Sequence, residues 1–266
     1  MTKRIGFIGT GNMGSAILNG LASRDDIERH GYDHHQEKLA QLAASCGLKA
    51  HDSVLSLAEA CDIVVVAVKP QYAEAVVKEI AASLDASKCL VSICAGLTVE
   101  RFRDWSEGRC PVVRVMPDTP ALVGESVSAV CLDDKDLSDE LRAFIPGLFK
   151  AIGQVHILPE RLFDAFTGVI GSGPAYVFYF MEAMIEAGVA LGLTRPQATQ
   201  MVKGLFLGSA KMADQSEHSV PQLREMVTSP GGTTVRALMH FDRQGMRGDI
   251  IDAIFKCCER SIELGK

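Results

Sequence analysis

The first residues in this chain whose pattern indicates a chemical role are the glycines of a short segment near the N-terminus. The segment follows an apolar run at 4–8, which predicts a strand, and precedes a predicted helix at 15–23. In this context Gly9 permits a tight turn, Gly11 lets the backbone approach a pyrophosphate, and Gly14 lets helix and strand pack closely. We therefore predict a dinucleotide-binding turn made of Gly9, Thr10, Gly11, Asn12, Met13 and Gly14.

The end of a second predicted strand, at 29–33, carries an acid followed by two histidines. Asp33 lies near the place where an acid would bind a ribose 2′-hydroxyl, and that arrangement favours NADH. His34 and His35 could instead meet the 2′-phosphate of NADPH, particularly if they are protonated. A solvated turn is the alternative for each histidine taken singly, so the sequence leaves the coenzyme open.

Three later strands, predicted at 62–68, 89–94 and 111–115, end in further candidate loops. Ligands of open parallel sheets bind at the carboxyl ends of the strands. The lysine of the first loop could touch the cofactor or simply reach solvent, and the small residues of the second leave room for a nicotinamide ring. Two prolines make the third loop rigid, and a plain structural turn would explain them too. The candidates for cofactor contact are Ala67, Val68, Lys69, Pro70, Cys94, Ala95, Gly96 and Asp118.

A second cradle is predicted at 228–234, a segment rich in hydroxyls and glycine that leads into a helix at 233–242. Its hydroxyls and backbone N–H groups could hold an anion at the helix N-terminus, and a small carboxylate would fit. Remaining hydroxyls could bond a substrate nitrogen. Helix capping alone would need only one Ser or Thr. Small residues also open a long helix after 171, which either a cofactor or a neighbouring subunit would explain.

The elements that position these residues divide the chain into two parts. Strands and helices alternate up to about residue 158, and the β-branched run at 62–68 fits a central parallel strand covered on both faces. Beyond 159 the pattern is helical, at 176–190, 196–212, 221–226, 233–242 and 249–264. The predicted fold is α/β: a Rossmann-type doubly wound sheet at 1–160, followed by an all-α domain at 161–266. These helices are apolar on more than one face, which favours a dimer interface.

Composition excludes several other classes of protein. The net charge is −6 without a basic block, which argues against a nucleic-acid partner. Glu182 and Glu186 interrupt the longest apolar stretch, so a buried helix is favoured over a membrane span. Eight cysteines lack metal-binding spacing and predict reduced thiols without a metal. With no secretory segment at the N-terminus, we expect a cytoplasmic protein.

Taken together, these motifs resemble the pyrroline-5-carboxylate reductase family. The similar segments are GTGNMG at 9–14, AVKP at 67–70, MPDTPA at 116–121, GSGPAY at 171–176 and VTSPGGTT at 227–234, so the resemblance covers essentially the whole chain. It implies reduction of 1-pyrroline-5-carboxylate to L-proline, the last step of proline biosynthesis, with NADPH or NADH. It also implies a homodimer through the helical domains, with dimers able to assemble into a homodecamer.

The resemblance also implies roles for residues of the second cradle. Thr234 would be the catalytic residue that bonds the imine nitrogen, Glu217 would be an acid near the substrate, and the site would be shared across the dimer. The residues implied to hold the substrate carboxylate and ring are Ser229, Gly231, Gly232, Thr233 and Thr234. The family usually has Asn where this chain has Asp118, whose charge could repel the substrate carboxylate or stabilise an iminium. It commonly has Gln-Thr at Lys203-Gly204.

Two other functions compete with this interpretation. A β-hydroxyacid dehydrogenase carries a proton-donating lysine shortly after a glycine-rich turn in its helical domain. After Gly173 this chain has no lysine before Lys203, which counts against that enzyme. A non-catalytic NADP-sensing protein would not need the second, hydroxyl-rich cradle.

Overall fold

The computed structural model describes residues 2–265, which form two compact units. One unit runs to Ser172 and includes the residues from Cys257 onward, and the other comprises Gly173–Lys256. The sequence predicted a division after residue 160. The first unit extends further because Phe163 and Phe166 belong to its hydrophobic core.

The first unit is built on one eight-stranded sheet. Its strands are β1 Lys3–Ile8, β2 Ile27–Tyr32, β3 Lys49–Ala50, β4 Ile63–Val66, β5 Cys89–Ser92, β6 Val112–Met116, β7 Ser126–Cys131 and β8 Gly153–Ile157. Their order in the sheet is β3-β2-β1-β4-β5-β6-β7-β8, and all neighbouring strands are parallel except β6 and β7. The helices of this unit are α1 Asn12–Gly20, α2 Gln36–Cys46, α3 Val54–Ala60, α4 Pro70–Ile80, α5 Val99–Trp105, α6 Asp139–Phe149 and α7 Phe163–Phe166.

The β4 strand is central because its residues are apolar on both faces. Ile63 and Val65 lie in the hydrophobic cluster on one side of the sheet, and Val64 and Val66 lie in the cluster on the other. Each such side chain contributes about 1.5–3 kcal/mol when fully buried. The predicted doubly wound sheet is confirmed. Its topological switch point lies between β1 and β4, because the chain continues to β2 on one side of β1 and to β4 on the other.

The second unit is helical, as the pattern beyond 159 predicted. Its helices are α8 Gly173–Ala190, α9 Arg195–Gln215, α10 Val220–Met226, α11 Thr233–Arg243 and α12 Met246–Leu264, the last of which ends in the first unit. Capping boxes start two of them: Thr194 pairs with Gln197 before α9, and Ser219 pairs with Gln222 before α10. These side chains satisfy N–H groups that a helix N-terminus otherwise leaves without a partner.

No helix within 2–265 has both the length and the apolar content needed to cross a bilayer. No group of three or more His, Cys, Asp and Glu side chains in that range is arranged to hold a metal ion. The eight cysteines are free thiols, six of them buried and two partly buried.

A hydrogen-bonded histidine pair lies at the β2–β3 side of the sheet. The buried His30 ring contacts His51 between Nδ1 and Nε2 at 2.7 Å, and its other nitrogen is 2.7 Å from Glu28. His51 in turn contacts the Ser56 hydroxyl at 2.7 Å. Burial lowers the pKa of His51, and the neighbouring His30 lowers it further, although Asp52 acts in the opposite direction. The folded chain therefore favours the neutral His51 imidazole.

This depressed pKa predicts a loss of stability as the pH falls. Above the ordinary histidine pKa of about 6.5 both the folded and the unfolded chain hold His51 neutral; below it the unfolded chain takes up a proton more readily, so unfolding is favoured. His51→Gln keeps a polar side chain without titrating. We expect its Tm to fall less than that of the wild type between about pH 8 and pH 5.5, by a few degrees. His156→Gln, at an exposed position, is the control and should retain the wild-type slope. Parallel plots of Tm against pH for the wild type and His51→Gln would refute the assignment of a lowered pKa to His51.

Candidate functional site

The glycine turn after β1 is fixed by close packing at its two ends. Gly9 has φ +99°, and a Cβ there would lie 2.6 Å from the carbonyl oxygen of Ala67, which follows β4. A Cβ on Gly14 would lie 2.3 Å from the carbonyl oxygen of Gly9. Neither position has room for a side chain, so both glycines are required by the contact between the turn, α1 and the neighbouring strand.

The middle glycine of the turn has different surroundings. No described atom lies within 4 Å of the Cβ position at Gly11, which is the N-cap of α1. No side chain caps this helix, so the N–H groups of its first turn face outward, where the helix dipole favours an anion. The space that a Cβ at Gly11 would fill is open, so these residues fit the pyrophosphate of a dinucleotide.

Asp33 holds the glycine turn from the end of β2. Its Oδ2 accepts hydrogen bonds from the Thr10 N–H at 2.7 Å and from the Thr10 hydroxyl at 3.1 Å. Its Oδ1 accepts one from the His35 N–H at 2.9 Å. Burial by itself would raise the pKa of this carboxyl, but the hydrogen bonds from His35 and Thr10 outweigh it, and the pKa lies below its usual range. Sequence reasoning placed Asp33 near the ribose but missed this bond to Thr10.

The two histidines after Asp33 lie at the exposed start of α2. Nδ1 of His34 is 3.4 Å from the Tyr32 hydroxyl. His35 is the N-cap of α2, and its Nδ1 is 3.4 Å from Oδ1 of Asp33. The structure therefore places Asp33 and both histidines at one corner of the sheet, beside the glycine turn.

The loop after β4 contributes both buried and exposed positions. Ala67 and Val68 are half-buried, and the Ala67 N–H donates to the Ile8 carbonyl at 2.8 Å, which joins this loop to the glycine turn. Lys69 is the exposed N-cap of α4 and Pro70 begins that helix. Because the Lys69 side chain makes no hydrogen bond or ion pair that the described residues show, its ammonium group is available to an anionic ligand.

Only one of the three small residues in the loop after β5 is exposed to solvent. The Cys94 thiol donates to the Val68 carbonyl at 3.3 Å, and burial raises the pKa of that thiol to about 11. Gly96 has φ +78°, and a Cβ there would lie 3.3 Å from Cβ of Leu264. Ala95 alone is exposed. Space for a ligand at this loop is therefore confined to the surface around Ala95.

Asp118 lies after β6, and its side chain bonds within the sheet unit. The residue is only 6% exposed, and its Oδ1 accepts a hydrogen bond from the Val127 N–H at 2.9 Å. Its own N–H donates to the Ser126 hydroxyl at 3.4 Å. These bonds join the loop to β7, so the Asp118 carboxylate has a structural role in this unit.

The second cradle lies before α11 in the helical unit. Gly231 has φ +70°, which favours glycine, and Gly232 is the N-cap of α11 without a side-chain cap. The hydroxyls of Ser229, Thr233 and Thr234 have no hydrogen-bond partner among residues 2–265, whereas Thr228 donates to the Arg224 carbonyl at 2.6 Å. Three free hydroxyls thus accompany the free N–H groups of a helix start, which is suited to a small carboxylate.

Glu217 lies on the exposed connection between α9 and α10. Within the described part of the chain, no hydrogen bond or ion pair links it to the 229–234 loop. Its role in substrate binding is therefore carried by the resemblance alone.

Sequence reasoning also missed two grooves of the helical unit. A groove of about 650 Å³ lies between α8 and α9, and Lys203 lines it together with Phe178, Tyr179 and Glu182. Another, of about 510 Å³, lies among α10, α11 and α12. Grooves between helices depend on packing angles, which periodicity does not specify.

Comparison with known proteins gave a consistent result. Two family models match: pyrroline-5-carboxylate reductase dimerisation over residues 160–264, and NADP oxidoreductase coenzyme F420-dependent over residues 4–96. A pyrroline-5-carboxylate reductase of Escherichia coli strain K12 is 37% identical over 269 residues, covering 100% of both chains. The solved structure of a pyrroline-5-carboxylate reductase from Coxiella burnetii is 32% identical with a TM-score of 0.91 and covers 100% of both chains. That of the Plasmodium falciparum pyrroline carboxylate reductase with NADP bound is 33% identical with a TM-score of 0.88, over 99% of this chain and 98% of that one.

Gly11 has open space around it and Gly14 has none, so substitutions at the two positions should affect different properties, coenzyme binding and stability. Gly11→Val should fold normally, since no described atom lies within 4 Å of the Cβ position, but should weaken NAD(P)H binding roughly tenfold or more, because it displaces charge-assisted hydrogen bonds to the pyrophosphate. Gly14→Val should lower the Tm, because its Cβ would overlap the Gly9 carbonyl. Fluorescence titration and thermal melting measure the two effects. If Gly11→Val bound NAD(P)H like the wild type, the pyrophosphate would have to lie elsewhere.

Proposed function

Because the chain belongs to the pyrroline-5-carboxylate reductase family, we propose that it catalyses the NAD(P)H-dependent reduction of 1-pyrroline-5-carboxylate to L-proline, the last step of proline biosynthesis. Full-length identity of 37% to a reductase of that name supports the activity. The structural observation that carries the proposal is the loop before α11, where free hydroxyls accompany an uncapped helix start. A reductase acting on an anionic ring needs such a site in addition to its dinucleotide cradle.

The dinucleotide is proposed to bind at the carboxyl ends of the parallel strands. Gly11 and the first N–H groups of α1 would hold the pyrophosphate. The loops after β4 and β5 would contribute Lys69 and the surface around Ala95. When bound, NADH or NADPH supplies the two electrons of the reduction as a hydride.

The substrate is proposed to bind through its carboxylate at the start of α11. The N–H groups of this helix and the Ser229 hydroxyl would bind the carboxylate without a buried cation. The Thr234 hydroxyl would bond the ring nitrogen. Glu217 would contribute an acid near the ring, as the family resemblance implies.

The reaction balances with a single external proton. The ring carbon of the C=N bond gains the hydride, the nitrogen gains a proton, and the double bond becomes a single C–N bond. The chain's own contribution is to hold the ring and to orient the nitrogen, which makes a bimolecular step effectively unimolecular. Thr234 can donate its hydroxyl hydrogen bond to the nitrogen and relay the proton from water.

We further propose that the helical unit forms a homodimer, and that dimers can assemble into a decamer. The α8 helix has no buried residue within the chain, and its Phe178 and Tyr179 side chains are 63% and 72% exposed. Leu207 of α9 and Phe255 of α12 are also largely exposed. Apolar surface of this extent is typical of an interface. Eight free thiols fit a reducing compartment, so we place the enzyme in the cytoplasm.

Substitutions at Thr234 test the substrate site and the activity together. In an assay that follows NAD(P)H absorbance with pyrroline-5-carboxylate, the wild type should turn over, and Thr234→Val should lower kcat/KM about tenfold or more, because one hydrogen bond to the reacting nitrogen is lost. Thr234→Ser keeps the hydroxyl and should retain most of the activity. Coenzyme affinity, titrated separately, should not change. If Thr234→Val kept the wild-type kcat/KM, the threonine would be excluded from the mechanism.

The exposed apolar helices predict an assembly that can be measured directly. Light scattering at micromolar concentration should give at least twice the chain mass of 28.6 kDa. Replacing the most exposed aromatic side chains of α8, in Phe178→Glu/Tyr179→Glu, should shift the mass toward that of one chain, since it places charge in the interface. A wild-type mass equal to one chain would rule out the proposed dimer.

A further inference from the structure

We propose that Asp33 is a specificity-determining residue that makes this chain select NADH over NADPH. The inference rests on the proposed function only in that a nicotinamide dinucleotide binds at the glycine turn. Three observations lead to it: where the carboxylate is fixed, what its oxygens can still accept, and which charges surround it.

The position of Asp33 is set by the pairing of β1 with β2. Ile8 and Tyr32, the last residues of the two strands, are partners in the parallel register. The Gly9 N–H donates to the Tyr32 carbonyl at 2.9 Å, so the residue after each strand lies at the same level. Asp33 therefore stands next to the glycine turn, on the side of β1 opposite to β4, where the adenosine ribose of a dinucleotide bound at this turn would lie.

The carboxylate is held in one orientation. Both hydrogen bonds from Thr10 reach Oδ2, and the His35 N–H reaches Oδ1. The side chain is only 17% exposed. A carboxylate oxygen can accept about two hydrogen bonds, so Oδ1 retains capacity for one more donor. The pKa direction agrees, since the hydrogen bonds from His35 and Thr10 favour the charged form against the effect of burial.

A ribose hydroxyl and a ribose phosphate would interact with this oxygen in opposite ways. The 2′-hydroxyl of NADH can donate a hydrogen bond to Oδ1. The 2′-phosphate of NADPH would bring up to two negative charges to within a few ångströms of a fixed negative charge. At an effective dielectric constant of about 20, the repulsion between two unit charges about 4 Å apart corresponds to roughly a thousandfold in affinity, which salt reduces.

The neighbouring charges do not compensate for this repulsion. Residues 33–38 include one lysine, Lys38, and one further acid, Glu37, but no arginine. The only ion pair that the described residues show for Asp33 is with His35, whose imidazole is itself drawn to the carboxylate at 3.4 Å. A 2′-phosphate is ordinarily met by an arginine. Because the relative from Plasmodium falciparum was solved with NADP bound, the proposal predicts a difference in coenzyme use within the family.

The test is a fluorescence titration of the purified full-length chain with NADH and with NADPH, without substrate, at about pH 8 so that the histidines are largely neutral. The wild type should bind NADH at least about tenfold more tightly. Asp33→Asn keeps an acceptor for the Thr10 N–H but removes the charge. It should bring the ratio of the NADH and NADPH affinities close to one, mainly by raising the affinity for NADPH. Glu37→Gln removes a nearby exposed charge and is the matched control, with an expected change of less than about twofold.

The possible outcomes separate the alternatives. A wild type that prefers NADPH, or an unchanged ratio in Asp33→Asn, overturns the proposal. Equal weakening of both coenzymes would show that Asp33 only holds the turn, and would also overturn it. Asp33→Ser, which places a smaller neutral acceptor there, should reproduce the shift if the asparagine variant folds poorly; failure of both to change the ratio counts against the proposal. Selective NADH binding without turnover of pyrroline-5-carboxylate would sink the proposed function and leave this inference standing.

Discussion

The approach of the glycine turn to the strand beside it is the constraint on which this site depends. The Gly9 turn packs so closely on the Ala67 carbonyl that no side chain fits between them. That contact requires β1 and β4 to be neighbours, which places the reversal of strand order next to the turn. The uncapped start of α1 then lies over the end of the sheet, and the loops after β2, β4 and β5 share the same edge. An uncapped helix start that fits a dinucleotide thus follows from one backbone contact and the parallel direction of the strands.

The two candidate cradles share the features that suit a helix start to anion binding. Each is a helix start preceded by a glycine with positive φ, at Gly9 before α1 and at Gly231 before α11, and neither helix has a side-chain cap. Backbone N–H groups supply the partial positive charge in both, without a buried lysine or arginine. They differ in what surrounds the N–H groups. At α1 one glycine leaves open space, whereas at α11 free hydroxyls add directional hydrogen bonds that can distinguish a ring nitrogen from a carboxylate.

The sequence predicted elements well where local pattern decides them. The β-branched run at 62–68 predicted the central strand, which the structure has at 63–66, and the helices beyond 159 were found within a few residues of their predicted bounds. The two-residue strand β3 was not predicted, because so short a segment shows no alternation. Contacts distant in the sequence were missed for a different reason. Residue types at 10 and 33 do not reveal that Thr10 donates to Asp33. Likewise, the change of pattern near 160 does not reveal that Phe163 packs into the core of the sheet unit. Candidate sites made of a single segment could therefore be proposed from the sequence, whereas bonds between segments could not.

The return of α12 to the first unit has a consequence for synthesis of the chain. Leu264 lies against Gly96, and the Ser261 hydroxyl donates to Asp164 at 2.6 Å, so the last turns of the chain cover part of the first domain. A ribosome releases the chain from its N-terminus, and domains ordinarily fold in that order. Here the first unit remains incomplete until residues 257–265 have left the ribosome, although most of its residues emerge earlier. A nascent chain halted before residue 257 would therefore expose a surface around Gly96 and Asp164 that residues 261–264 cover in the folded unit.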